Sequence, residues 1–273
     1  MNNFEFLKEV LSVPSSSYKE HLMIEFLEKW LTENNIPHYT DDFGNVYATK
    51  KTNLKEGEFF PCVVSHTDTV HDISNINILE KQLPDSDNII KLALTSVNDD
   101  GIPNGIGGDD KCGVYICLRL LKDLPNVKAA FFVSEEIGCR GSLNADPNFF
   151  KDVGYAIQFD APENWMVTYT CMGVELFDMK SEFFDKCHNV LTENFNHKKD
   201  YLKHPYTDVY ALRKKFDFAC INISCGYYNY HRPNEYVVVD DVENAYDVGV
   251  KMISDLGCCS YIFNKSKKTK FML

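Results

Sequence analysis

Phe59-Phe60-Pro61-Cys62-Val63-Val64-Ser65-His66-Thr67-Asp68 is the stretch from which the rest of the chain can be read. A short, unbroken apolar run is what a strand covered on both faces requires, and such strands belong to parallel sheets flanked by helices. This one ends on an imidazole and a carboxylate. In an open α/β sheet, the carboxyl ends of the strands are where ligands bind. The pattern recurs along the chain. Gly108-Asp109-Asp110-Lys111 precedes a helix, and Ser134-Glu135-Glu136-Ile137-Gly138 follows a second apolar run. Phe159-Asp160 closes a third run, and Tyr230-His231 follows a fourth.

The neighbouring segments agree with that sheet. Phe4, Leu7, Val10 and Leu11 share one helical face, as do Met23, Phe26, Leu27, Trp30 and Leu31, the latter behind a capping-box spacing of Ser17 and Glu20. Residues 36–50 read as a hairpin turning at 41–45, and residues 76–97 as two strands around the turn 84–88. A helix is expected over 113–121, a strand over 128–134, a weak helix over 141–151 and a strand over 155–160. Two strands (165–171 and 174–179), a helix (181–194) and a polar surface loop (194–204) follow. Last come a helix over 207–215, a buried strand over 218–224 and a helix capped by Asp240 and Glu243 that runs to about Leu256. Strands alternating with helices predict an α/β fold, a mostly parallel, doubly wound mixed sheet with helices on both faces. Residues 1–263 are expected to form one domain, and 264–273 a basic, solvated tail with four lysines.

Composition narrows the function. At 44% hydrophobic and 13% aromatic, the 273 residues can build a sizeable core. A formal net charge of −12 does not suit nucleic acid or an anionic membrane as partner. No apolar run reaches the roughly 18 residues of a membrane-spanning helix. The amphipathic, acidic start does not read as a signal peptide. The ten cysteines show no Cys-x-x-Cys spacing, and Cys62, Cys117 and Cys220 fall inside expected elements. Reduced thiols and a cytoplasmic location are therefore expected.

His66 and Asp68, two apart on an extended chain, point to the same side. A carboxylate there can hold the imidazole's second nitrogen, as metal-ligating histidines require, although a surface histidine beside a helix cap has the same spacing. Asp109 and Asp110 follow Gly105, Gly107 and Gly108, which permit close backbone approach. A phosphate cradle also precedes a helix N-terminus, but adjacent aspartates repel phosphate and the Gly-Lys-Ser/Thr ending is lacking. A cation fits better. Glu135 and Glu136 cannot both be buried without compensation; one can ligate a metal while the other faces a bound water, and a solvated acidic turn is the alternative.

In the order His, Asp, Glu-Glu, Asp, His, the chain resembles the di-zinc exopeptidases of the peptidase T, aminoacylase and glutamyl aminopeptidase type. Val133 to Ser142 looks most like the glutamyl aminopeptidase branch; Gly226-Tyr227 and Asn229 to Glu235 look closer to peptidase T. Thr207-Asp208 and Phe216 to Ser224 match a segment shared by both, so the resemblance covers nearly the whole chain. It implies one metal on His66 and Asp160, a second on Glu136 and His231, and Asp109, chosen over Asp110 on the resemblance, bridging both. It also implies a cis peptide after that aspartate. Mixed N/O ligation suits Zn²⁺, and Co²⁺ and Mn²⁺ accept the same geometry.

Glu135 is then the general base and acid for a metal-bridging water, with Asp68 orienting His66. Many relatives insert a lid or dimerisation domain after the first His or the third-strand Asp. Neither 67–108 nor 161–206 holds one here, so a single catalytic domain is expected. Without a lid, Asp208 is a candidate receptor for a substrate amine, and Arg140 or Arg232 for a carboxylate, each with a structural ion pair as its alternative. Tyr227, Tyr228 and Tyr230 are candidates for the pocket wall or the core. The implied activity is aminopeptidase on small peptides or amino-acid amides. A deacylase of N-acyl amino acids and a non-catalytic metal-binding module are the alternatives. The lean on oligomeric state is to a monomer or a small assembly.

Overall fold

The computed structural model describes residues 2–84, 88–194, 201–204 and 206–263, with the backbone alone at 201–204. The elements run α1 (Asn3–Leu11), α2 (His21–Glu33), β1 (His38–Thr40), β2 (Val46–Lys51), β3 (Phe60–His66), β4 (Asn77–Pro84) and β5 (Ile90–Val97). They continue with α3 (Gly108–Asp123), β6 (Asn126–Phe132), α4 (Arg140–Leu143), β7 (Val153–Ala161), β8 (Val167–Cys171), β9 (Val174–Glu175) and α5 (Glu182–Asn194). The chain closes with β10 (Tyr201–His204), α6 (Asp208–Lys215), β11 (Ala219–Ser224), β12 (Tyr227–Tyr228), β13 (Tyr236–Val238) and α7 (Val239–Leu256).

The main sheet has the order β1-β2-β6-β3-β7-β11-β8-β10, with β9 beside β8. Its centre is parallel: β3 pairs with β6 and β7, and β7 with β11. Antiparallel pairs lie toward the edges, β1 on β2 and β2 on β6 at one end and β11 on β8 at the other. Every residue of β3, β6, β7 and β11 is buried, as the continuous apolar runs required. Helices cover both faces. On β7, the Gln158 side chain bonds to residues at the start of α6, while neighbouring Phe159 lies against Gly249 of α7. Successive strand residues point to opposite faces, so α6 and α7 cover opposite sides.

A second, antiparallel sheet of four strands, β12-β13-β5-β4, was not foreseen as a separate layer. β4 and β5 fill the interval between His66 and Asp109. Because β6, β3 and β7 are adjacent and parallel, Glu135, His66 and Asp160 emerge side by side at one edge.

Several local expectations fail for identifiable reasons. Ser17 and Glu20 form no capping box: α2 starts at His21 with no side-chain cap. Instead Ser17 Oγ donates to Asp68, and Glu20 accepts from Ser134, so both side chains are drawn into the site. Asp240 and Glu243 do not cap α7 either; Glu243 pairs with Arg119 and accepts from Tyr115. The helix expected over 141–151 stops at Leu143, because Pro147 lacks an N–H and disfavours a helical residue before it. Residues 201–204, expected in a loop, form β10 parallel to β8. β9 spans only Val174–Glu175 of the strand expected over 174–179. The remainder of that polar loop (195–200), the turn residues 85–87 and the basic tail 264–273 lie outside the described residues. All ten cysteines are free thiols, and eight are buried. Among the described residues no helix is long and apolar enough to cross a membrane.

Candidate metal centre

His66 ends β3, almost wholly buried. Its Nδ1 lies 2.9 Å from the backbone carbonyl of Asp68. A carbonyl only accepts, so Nδ1 carries a hydrogen and Nε2 is the nitrogen turned toward the neighbouring carboxylates. The expected role of the Asp68 carboxylate is thus taken by its own main chain, the nearer carboxylate oxygen being 3.6 Å from Nδ1. The fully buried carboxylate instead accepts from Ser17 Oγ at 2.7 Å, Glu135 N at 2.8 Å and Glu136 N at 3.3 Å. Asp68 therefore fixes the turn that carries both glutamates as well as the imidazole.

Around His66 Nε2 stand Asp109 Oδ1 at 3.2 Å, Asp160 Oδ1 at 3.4 Å and Glu135 Oε2 at 4.0 Å. The other oxygen of Asp109 faces the opposite way, with Oδ2 3.2 Å from His231 Nε2. That imidazole also meets both oxygens of Glu136, at 3.1 and 3.0 Å. One carboxylate therefore spans two imidazoles, each with a second carboxylate of its own. The peptide bond between Asp109 and Asp110 is cis.

Asp110 is a geometric rival, since its carboxylate also lies within 4.8 Å of donor atoms of His66 and Asp160. Its oxygens already accept from Ser65 Oγ at 2.7 Å, Gly113 N at 3.1 Å and His66 N at 3.2 Å. It lies wholly buried away from the cavity, holding β3 to α3, which leaves Asp109 as the bridging candidate.

Neighbouring elements hold these groups in place. Asp160 N donates to Asn222 Oδ1 of β11 at 2.9 Å, and Asn222 returns a bond to the Asp160 carbonyl. The fully buried Gln158 amide donates to Asp160 Oδ2 at 3.0 Å and Asp208 Oδ2 at 3.3 Å, while its oxygen accepts from Thr207 and Val209. Glu20 Oε1 accepts from both the N–H and the hydroxyl of Ser134, each at 3.1 Å. Ser134, Cys139 and His231 all have φ in the left-handed region, a clustering typical of functional sites.

The electrostatics follow from burying so many acids together. Among the described residues no Lys or Arg pairs with Asp109, Glu135, Glu136 or Asp160; their ionic neighbours are the two imidazoles. Burial pushes the Asp160 carboxyl up to about 8 and that of Asp208 to about 7. Burial, then the charges of Asp160 and Asp208, raises Glu135 well above the carboxylate range. Asp109 is the exception: burial would raise it, but contacts with His231 and His66 hold it low. His231 is pushed up to about 10 by Asp109 and Glu136. For His66, burial opposes charge, yet Asp109 and Asp160 raise its pKa. A cluster of inward oxygens and imidazole nitrogens that otherwise has to share protons fits divalent cations, whose binding displaces those protons.

Above the cluster lies a cavity of ≈ 360 Å³. Asp109, Glu135, Glu136, Asp160 and His231 form its floor, with Ile137, Tyr206, Tyr227 and Tyr230 around them. An adjoining cavity of ≈ 380 Å³ shares Tyr230 and His231 and adds Glu163, Asn229 and Arg232. The four residues assigned from sequence to substrate binding divide. Arg232 lines the second cavity. Asp208 is fully buried and lines neither; Arg140 is exposed beside the Tyr18 hydroxyl; and Tyr228 donates to Asp241 at 2.6 Å instead of facing the cavity. In the sequence Tyr206 and Gln158 carry no sign of a role, Glu20 reads as a helix cap, and Glu235 stands only as the end of a family-like segment.

The fold is that of the metallo-exopeptidases. A family model of the M42 glutamyl aminopeptidases matches residues 94–248, and the chain belongs to that family. The matched span holds Asp109, Glu135, Glu136, Asp160 and His231. Peptidase T of Staphylococcus carnosus (strain TM300) is 29% identical over 201 residues, 60% of this chain. The chain spans 48% of that relative's length.

Solved structures share the fold. The aminopeptidase PepT of Bacillus cereus ATCC 10987 matches with a TM-score of 0.74 at 14% identity, covering 94% of this chain and 99% of that one. A tripeptidase of Staphylococcus aureus subsp. aureus mu50 matches with 0.71 at 11% identity, covering 93% and 98%. The TET1 peptidase of Pyrococcus horikoshii matches with 0.63 at 14% identity, covering 92% and 99%.

Proposed function

We propose that this chain is a two-metal aminopeptidase, a single catalytic domain that removes the N-terminal residue of small peptides. The observation that carries the reading is Asp109, with one oxygen toward His66 and the other toward His231, each imidazole also meeting its own carboxylate. His66 with Asp160 and His231 with Glu136 would each hold one cation, Zn²⁺ by the chemistry of the donors, and Asp109 would serve both. Bound there, the ions lower the pKa of water and polarise the scissile carbonyl.

The rest falls to the chain. Glu135 lies in the cavity floor but is not bonded to either imidazole; its Oε1 accepts from Cys139 Sγ at 3.2 Å. It is placed to take the proton of the attacking water and pass it to the leaving amine. The Asp68 carboxylate, bonded to the main-chain N–H groups of Glu135 and Glu136, keeps base and ligand in register. Tyr206, Tyr227 and Tyr230 offer the substrate's first side chain an aromatic wall, and Arg232 stands where the remainder of a peptide could extend.

The testing variant is Glu135→Gln, nearly isosteric and outside the ligand set. It should fold and load metal as the wild type does, with turnover lower by about 10²–10⁴-fold. Ordinary turnover in a metal-loaded Glu135→Gln protein would sink the assignment of the base.

A further inference from the structure

Glu235 is fully buried, four residues beyond His231 in the loop that leads into β13. Its Oε1 accepts from Asp109 N at 3.1 Å, and its Oε2 from Gly107 N at 2.9 Å and His71 Nε2 at 2.7 Å. The Gly-rich loop is moulded to this carboxylate and its partner. A side chain at Gly105 would meet the His71 ring at 2.4 Å, and one at Gly108 would meet Val237 at 2.7 Å and Glu235 Oε1 at 3.4 Å.

We propose that Glu235 is the positioning residue of the bridging aspartate: it ties the main chain of Asp109 to the loop bearing His231 and so sets the affinity of the second, Glu136/His231 cation site. This rests on the two-ion reading above. Glu235 touches neither substrate nor ion; it acts through Asp109. The arrangement needs a carboxylate, because three donors converge on its two oxygens. A glutamine has one accepting oxygen. Placed at the Oε2 position to keep Gly107 and His71, it turns its amide NH₂ onto the N–H of Asp109, donor against donor. The first cation site is less exposed to this change. His66 and Asp160 sit on adjacent buried strands, whereas His231 rides on the loop that Glu235 anchors.

The test titrates Co²⁺ into chelator-stripped full-length protein, following the visible cobalt spectrum and bound metal per chain, with melting temperature measured separately in chelator. Wild type should take two ions. Glu235→Gln should take the first at most a few-fold more weakly, since Asp109 serves both ions, and the second about 10–100-fold more weakly. His71→Phe, which removes one donor and leaves the carboxylate, should show a smaller weakening of the same site and stands in if Glu235→Gln does not fold. A purely structural role would lower the melting temperature while both affinities kept their wild-type ratio, and that result would overturn the proposal. A wild-type protein that takes fewer than two Co²⁺ would instead overturn the two-ion reading, and this proposal with it.

Discussion

Stripping the metals should leave a protein that grows less stable as the pH rises from 5 to 7, the reverse of ordinary carboxylate behaviour. Asp160 and Asp208, pushed by burial to about 8 and about 7, bind protons in the folded chain that the unfolded chain has already lost above about pH 4. That stabilisation is present at low pH and disappears as the pH climbs toward those values. Glu135, raised in the same direction, adds to it. The imidazoles act with the same sign. His231, raised to about 10, contributes fully below the unfolded histidine pKa near 6.5 and loses that contribution as the pH rises toward 10. Asp68 and Asp109 are lowered, so their contribution is lost only below the usual carboxylate range, outside this window.

One excess proton in the folded state makes the slope about 1.4 kcal/mol per pH unit. Because the buried groups share charge, one net proton is the conservative count, or roughly 3 kcal/mol over the two units. At about 2–4 °C per kcal/mol for a domain of this size, the chelated protein should melt roughly 6–12 °C lower at pH 7 than at pH 5. Zn²⁺ in excess replaces the protons and should flatten or invert the trend, adding about 3 kcal/mol at one hundred times its dissociation constant. Differential scanning fluorimetry in matched buffers, with chelator or with Zn²⁺, reads both. A chelated melting temperature that is flat or rising between pH 5 and 7 would refute the picture of a proton-sharing acid cluster.

Two buttress substitutions should separate support from chemistry. Gln158→Leu strips Asp160 of an amide donor and orphans the Val209 N–H and the Thr207 hydroxyl. Each buried group left unpaired costs about 1–3 kcal/mol, to be read as a lower melting temperature together with weaker binding at the His66/Asp160 site. Glu20→Ala releases the left-handed Ser134 just before the catalytic turn; the chain should still fold and load metal, with kcat falling while KM changes little.

The candidate donors carry local signals, His66 and Asp160 at the ends of apolar runs and the Asp109-Asp110 pair after the glycines, but the choice of Asp109 within that pair came from the family resemblance alone. Their supports carry no such signal. Ser17 meets Asp68 across 51 positions and Glu235 meets Asp109 across 126, and these meetings exist only once the strands are ordered. Ser17 and Glu20 had the spacing of a capping box, but two buried turns offered stronger partners than the helix end did. Asp208 shows the converse. Its Thr-Asp signature was recognised, yet at the first position of α6, under Gln158, it is closed off from the cavity. β4 and β5 were expected as strands, but the separate sheet they share with β12 and β13 was not, because those two span only two and three residues and carry no periodic signal.

The most direct test of the central claim is mass spectrometry of a mixed pool of free and N-acetylated short peptides after incubation with the Zn²⁺-loaded protein, beside a chelated control. The expected result is stepwise loss of N-terminal residues from the unblocked peptides alone, abolished by the chelator. Removal of acetyl groups with the peptide bonds intact, or a pool left untouched by fully loaded protein, would contradict it.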